Sequence, residues 1–200
     1  MIISFLNDSE NKVSTTLFFA TGNSNKVEEV REILSDYYIR IESADVKGIE
    51  IQADTVEEIA RASAKTAALK EGKPIFVEDT GFFIEALKGF PGPYASYVDR
   101  TIGRKGVLRL LDRVGNRKAE FKSAIAFCMP NKETVCFTGS VSGRISFEER
   151  GTFGFGFDPI FEPDGGGKKT FAEMTIKEKN YFSHRARAVG KFVDWYLKQI

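Results

Sequence analysis

Histidine and cysteine are nearly missing from this 200-residue chain, which has one of the former and two of the latter. So few ligands, at spacings that match no zinc pattern, exclude a structural zinc site and a disulfide-built scaffold. Cys128 and Cys136 flank an expected hairpin turn and are read as reduced thiols. Charge of one sign is also lacking: 29 basic residues nearly cancel 28 acidic ones, leaving +1. No charge excess is available to grip a nucleic-acid backbone, so no nucleic-acid partner is expected. No apolar run approaches the length that spans a bilayer, and "MIISFLNDSENKVSTT" has no basic n-region. The expectation is a cytoplasmic protein with no membrane partner. No repeat, linker or low-complexity tract divides it. Residues 1–13 read as an N-terminal extension and 14–200 as a single domain.

What is present alternates. "TLFFAT" (16–21) is a short β-prone run, and after "GNSN" the residues Val27, Val30, Ile33 and Leu34 follow at helical spacing. "YYIRIES" alternates as a second strand. "DTVEEIARASAKTAALKEG" reads as a helix with Thr55 as cap, Glu58 three residues on and Gly72 at its stop. "PIFVEDTG" is expected as a brief buried strand ending in two acids, "GFPGPY" as a loop, and "KGVLRLLDRVG" as a helix. "AEFKSAIAFCM" and "TVCFTGSVSGRISF" flank "PNKE" as two long antiparallel strands. A Gly/Pro-rich stretch then leads to a final helix striped by Val189, Phe192, Val193, Tyr196 and Ile200. This order implies an α/β fold with a mixed sheet.

Four stretches carry side chains suited to a site. In "ATGNSNK" a strand turns through Gly22 into a helix N-terminus, whose free N–H groups and dipole suit an anion. Thr21 and Asn23 would add side-chain donors and Lys26 a charge; an ordinary capped turn accounts for the same letters. It is not a Walker A loop, since the Gly-Lys-Ser/Thr end is missing. Glu50 and Asp79 are acids in apolar surroundings, where a bound Mg²⁺ would offset their desolvation. Alternation could instead turn Glu50 to solvent, and Glu78 faces opposite to Asp79, so only one of that pair is expected in a site. "FGFGFDP" spaces Phe153, Phe155 and Phe157 by glycine ahead of Asp158, which suits stacking and edge contact with a flat ring, or a plain aromatic core. "NYFSHRAR", with Lys179 just upstream, puts Ser183 at a helix cap with His184 and Arg185 in the first turn. Sequence neighbours at a cap diverge, which argues against a Ser-His nucleophile.

Taken in order, "TGNSNKVEEV", "VEDTGF", "GFPGPYASY", "SGRI", "FGFDPIF" and "FAEMTIKEKNYFSHRARA" resemble the inosine/xanthosine triphosphate pyrophosphatases, from about Thr16 to the C-terminal helix. The resemblance implies a long mixed central sheet flanked by helices, in two lobes with a cleft between them, and a homodimer. It implies Mg²⁺-dependent hydrolysis of inosine, deoxyinosine and xanthosine triphosphates to monophosphate and pyrophosphate by attack of water at the α-phosphorus. Thr21, Gly22, Asn23, Lys26 and Lys179 would hold the triphosphate. Glu50 and Asp79 would carry Mg²⁺, with Asp79 and Lys26 serving catalysis. Phe155, Gly156, Phe157 and Asp158 would bind the base, and Ser183, His184 and Arg185 would complete the pocket. Phe157 stands where many members carry Trp or Tyr, and Ser63 where several carry lysine. A nucleotide sensor without turnover and a single-strand-binding module are the other classes of function considered. The acids and lysines weigh against the first, and the near-neutral charge against the second.

Overall fold

A computed structural model describes residues 16–46, 49 and 51–199. The expected extension 1–13 and Glu50 lie outside the described residues. The chain runs β1 (Thr16–Ala20), α1 (Ser24–Ser35), β2 (Arg40–Ala44), α2 (Val56–Glu71), β3 (Ile75–Ile84), β4 (Pro91–Gly92), α3 (Ala95–Thr101), α4 (Gly103–Leu110), β5 (Lys118–Cys128), β6 (Val135–Ile145), β7 (Phe161–Pro163), α5 (Ile176–Phe182) and α6 (His184–Tyr196).

The sheet is mixed, in the order β2-β1-β3-β5-β6-β7, with β4 pairing β3 to one side. β1 is parallel to β2 and β3, and every pair from β3 onward is antiparallel. The hairpin of β5 and β6 forms at the expected turn, and both cysteines are free thiols. β3 departs from expectation: it does not stop at its two acids but runs on to Ile84, fully paired with β5. Gly81 is not a breaker there. A Cβ at that position would lie 2.5 Å from the Phe83 ring and 3.0 Å from Val56, so the glycine serves close packing. Two helices, α3 and α5, were not expected. α5 opens with a full capping box in which Thr175 and Glu178 satisfy each other's backbone N–H groups.

Three cores form. On one face of the sheet, α1 and α6 cover Phe19 and Phe76, whose rings stack at 4.4 Å, together with Ile125 and Phe127. On the other, α2 presents Ala60, Ala64, Ala67 and Ala68, small enough to lie close against Ala124 and Ala126. Thr55 accepts from the Glu58 N–H to start α2, and Gly72 ends it at φ 65°. At the far end of the long strands, α3 and α4 close over Phe82, Phe121 and Phe161. No helix among the described residues is long and apolar enough to cross a membrane.

Candidate active site

A polar cluster is buried where the α1/α6 core meets the far core. α1 begins at the expected turn: the Thr21 hydroxyl accepts from Asn23 N–H (3.2 Å), and the Asn23 side-chain oxygen accepts from the N–H groups of Asn25 and Lys26. Asn23 is therefore the N-cap, and its oxygen serves the helix rather than a ligand. Gly22 is exposed, with open space where a Cβ would stand. Lys26, 17% exposed at its side chain, reaches Glu78 of β3, with Nζ 2.8 Å from Oε2 and donating to the Glu78 carbonyl at 3.1 Å.

One turn further along α1, Glu29 is buried. Its Oε1 meets Lys179 Nζ at 2.7 Å, and its Oε2 accepts from Arg185. Lys179 also touches Asp158 Oδ2 at 2.5 Å, and that oxygen accepts from the Phe155 N–H at 2.9 Å. Arg185 is 1% exposed. Its Nε lies 3.2 Å from Glu78 Oε1, and one terminal nitrogen donates to the Thr80 hydroxyl at 3.2 Å. The Ser123 and Thr80 hydroxyls donate to the same Glu78 oxygen.

Lys26, Lys179 and Arg185 thus face Glu29, Glu78 and Asp158, and the formal charges cancel. Mutual neutralisation is what makes such burial tolerable, since an unpaired charge there would cost several kcal/mol. Burial alone would raise the Glu78 carboxyl, but Arg185 and Lys26 overcome it and hold the group far below the usual carboxylate range. Glu29 is lowered likewise by Arg185 and Lys179 against its own desolvation. For Asp158 burial prevails, helped by Glu29, and its carboxyl is pushed up despite Lys179.

Most of the expected residues converge, in roles partly different from those expected. Lys179 is not presented to solvent but held between two carboxylates. Ser183 is the N-cap of α6, its oxygen accepting from Ala186 N–H at 3.1 Å. His184 is 2% exposed and stacked on Phe121 at 4.8 Å, with neither ring nitrogen hydrogen-bonded among the described residues. Burial, then the neighbouring Arg185 charge, drives its pKa well below the ordinary value, so the ring is neutral. Phe157 is core: it is 3% exposed and stacks on Phe82 at 5.0 Å, so its faces are taken. Phe155 is half-buried, with Lys179 5.1 Å and Arg185 5.6 Å from its ring centroid. Gly156 adopts φ 60°, and a Cβ at Gly154 would strike Asp158 Oδ2 at 2.1 Å, so the turn requires both glycines.

Asp79 falls on the other side. It lies between Val77, in the α2 core, and Gly81, which abuts Val56, so alternation turns it half-buried to the α2 face. Of the two adjacent acids it is Glu78 that joins Lys26, while Asp79, the one expected in the site as a Mg²⁺ ligand, faces α2. No group of three or more His, Cys, Asp or Glu side chains that could hold a metal is found among the described residues. Lys65 lines a surface cavity of about 620 Å³ with Asp54, Glu58 and Arg61, on the flank of α2.

Sequence reasoning missed Glu29, Thr80 and Ser123, and weighed Glu78 only as the alternative to Asp79. Glu29 left a trace: it sits three residues after Lys26 and four before Ile33, on the helix face that turns inward. Thr80 and Ser123 left none, because their level is set by the pairing of β3 with β5.

The Ham1 family model matches residues 17–195. A protein of Methanothermobacter marburgensis named dITP/XTP pyrophosphatase is 51% identical over 180 residues, covering 90% of this chain and 95% of the relative. Another of that name, from Methanopyrus kandleri, is 48% identical over 92% of this chain and 97% of its own. Among solved structures, the Staphylococcus aureus Ham1 protein superposes with TM-score 0.79 at 27% identity, covering 93% of this chain and 100% of the other. A HAM1 protein from Coxiella burnetii gives TM-score 0.77 at 30% identity, covering 92% and 99%.

Proposed function

The chain belongs to the Ham1 family, and from that premise we propose that it hydrolyses noncanonical purine nucleoside triphosphates to the monophosphate and pyrophosphate. The substrates are inosine, deoxyinosine and xanthosine triphosphates. The observation that carries the reading is the convergence of Lys26, Asp158, Lys179 and Arg185 from separate elements onto one buried cluster beside the exposed turn at Gly22. Relatives about half identical to this chain bear the name dITP/XTP pyrophosphatase, which supports the substrate class.

The polyphosphate lies across the N-terminus of α1, where the helix dipole favours an anion and Lys26 adds a charge, although the N–H groups of Asn25 and Lys26 are taken by the Asn23 cap. Water attacks the α-phosphorus in line and pyrophosphate leaves, with Asp79 taking the proton from water that approaches on the α2 side of β3, across from Lys26. In such reactions positioning and electrostatics carry most of the acceleration. Asp79 offers a hard oxygen of the kind magnesium takes; Glu50, the second carboxylate of the reading, lies outside the described residues. Bound Mg²⁺ supplies charge neutralisation for the triphosphate.

Base choice follows from the donors around Asp158 and Arg185. A guanidinium has five N–H groups, and those of Arg185 engage Glu29, Glu78 and Thr80 through three of its nitrogen contacts. The remaining N–H groups suit an oxygen at purine C6, and adenine's amino group would leave them unpaired. The likeness to the family also carries a homodimer and a cytoplasmic place of action.

The test supplies the full chain with Mg²⁺ and, in turn, dITP, XTP, ITP, dATP and dGTP, and measures both products. Monophosphate with pyrophosphate is expected from the first three. Release of orthophosphate, or equal use of dATP, would overturn the reading. Asp79→Asn should lower turnover by about 100-fold or more in a chain that still folds cooperatively.

A further inference from the structure

Glu78 is the acid of the cluster that meets Lys26, and its two oxygens face two cations from different helices. Oε2 pairs with Lys26 of α1 at 2.8 Å, and Oε1 lies 3.2 Å from Arg185 Nε of α6. The Ser123 and Thr80 hydroxyls fix the rotation of the carboxylate by donating to Oε1. Its side chain is fully enclosed. Lys26 meets Glu78 twice, donating to its carbonyl at 3.1 Å and lying 2.8 Å from its carboxylate as an ion pair. A free lysine side chain samples many rotamers, and two contacts to one buried residue restrict this one.

Stability is a weak reason for such a group, because a buried ion pair seldom outperforms an apolar pair of the same size. Phe76 and Phe82, on the same face of β3, show the apolar choice that the site otherwise makes. We infer that Glu78 is a positioning residue: it sets the Lys26 ammonium where the polyphosphate is received, and locks Arg185 to the same frame. The inference rests on the reading that Lys26 meets the triphosphate.

Glu78→Gln keeps the volume and an acceptor for the two hydroxyls but removes the charge that holds Lys26. With Mg²⁺ and dITP as substrate, kcat should fall by about 100-fold, the scale of a misplaced catalytic group, while KM changes by less than about threefold. In a Lys26→Met background the same change should cost clearly less than in the parent, because one of the two cations it acts through is gone and only Arg185 remains. A merely structural Glu78 would lower activity equally in both backgrounds, and that result would overturn the inference. Should Glu78→Gln not fold, Glu78→Asp retains the charge one methylene short, and a kcat equal to the parent's would be equally fatal. A readout independent of turnover is the Lys26 side-chain ¹⁵N resonance, assigned by its loss in Lys26→Met. It should be ordered in the parent and averaged in the Glu78 variants. A mobile Lys26 ammonium in the parent refutes the positioning role. An ordered one in a protein that hydrolyses none of the triphosphates refutes the proposed function and leaves the positioning standing.

Discussion

The only histidine of the chain provides an isolated probe of the buried cluster. His184 is sealed against Phe121 and Phe171, and neither ring nitrogen finds a hydrogen-bond partner among the described residues. Burial, followed by the Arg185 charge, depresses its pKa well below the ordinary 6.5, although Glu78 pulls the other way. The folded protein therefore refuses a proton that the unfolded chain accepts. Stability is full above about pH 6.5 and declines as pH falls below it, since the unfolded state then binds more protons. One unit below, near pH 5.5, the loss is about 1.4 kcal/mol, set by the unfolded-state pKa alone. Urea unfolding at about pH 7.5 and about pH 5.5 measures it, in the parent and in His184→Phe. Asp158, raised by burial, works with the opposite sign, and the depressed Glu29 and Glu78 act only as pH drops below their ordinary 4.5. Those contributions are common to both proteins, so the difference isolates the imidazole. The parent should lose about 1.4 kcal/mol more than the variant over that interval. Equal losses would refute the reasoning, because they would mean that His184 takes up its proton inside the fold.

Lys179→Met should destabilise by about 3–5 kcal/mol, since it strips Asp158 of its ammonium and leaves Glu29 with Arg185 alone; a urea midpoint close to the parent's would contradict the pairing. Gly139→Ala should cost about 1–3 kcal/mol or more, because its Cβ would lie 2.3 Å from the His184 carbonyl oxygen and 2.5 Å from the Ala188 nitrogen, forcing α6 off β6. Gly190→Ala in the same helix meets nothing within 4 Å and should stabilise by about 0.5–1 kcal/mol, which the same unfolding assay reads as the internal control.

Local chemistry was legible wherever a few consecutive residues decide the outcome. Thr55, Glu58 and Gly72 mark the ends of α2 because a side-chain oxygen satisfies a helix N–H and a glycine takes the left-handed turn. Ser183 caps α6 and "PNKE" turns the hairpin for equally local reasons. The length of β3 was not legible, because a glycine such as Gly81 can break a strand or let one pass close to a neighbouring helix, and only the position of Val56 says which. For Phe157 and His184 the residue type suits a ligand or a core, and the rings against which they stack are their own chain's.

The sequence by itself determined the alternation of elements, the caps, the hairpin and the supply of charged groups near two helix starts. Strand periodicity also required that Glu78 and Asp79 point to opposite faces. Which of them meets Lys26, and that Glu29 closes on Lys179 from 150 positions away, was decided only by the tertiary structure. The reason is energetic: a buried charge is tolerated only beside its opposite, and that neighbour is supplied by whichever distant element the packing of α1, β3 and α6 brings alongside.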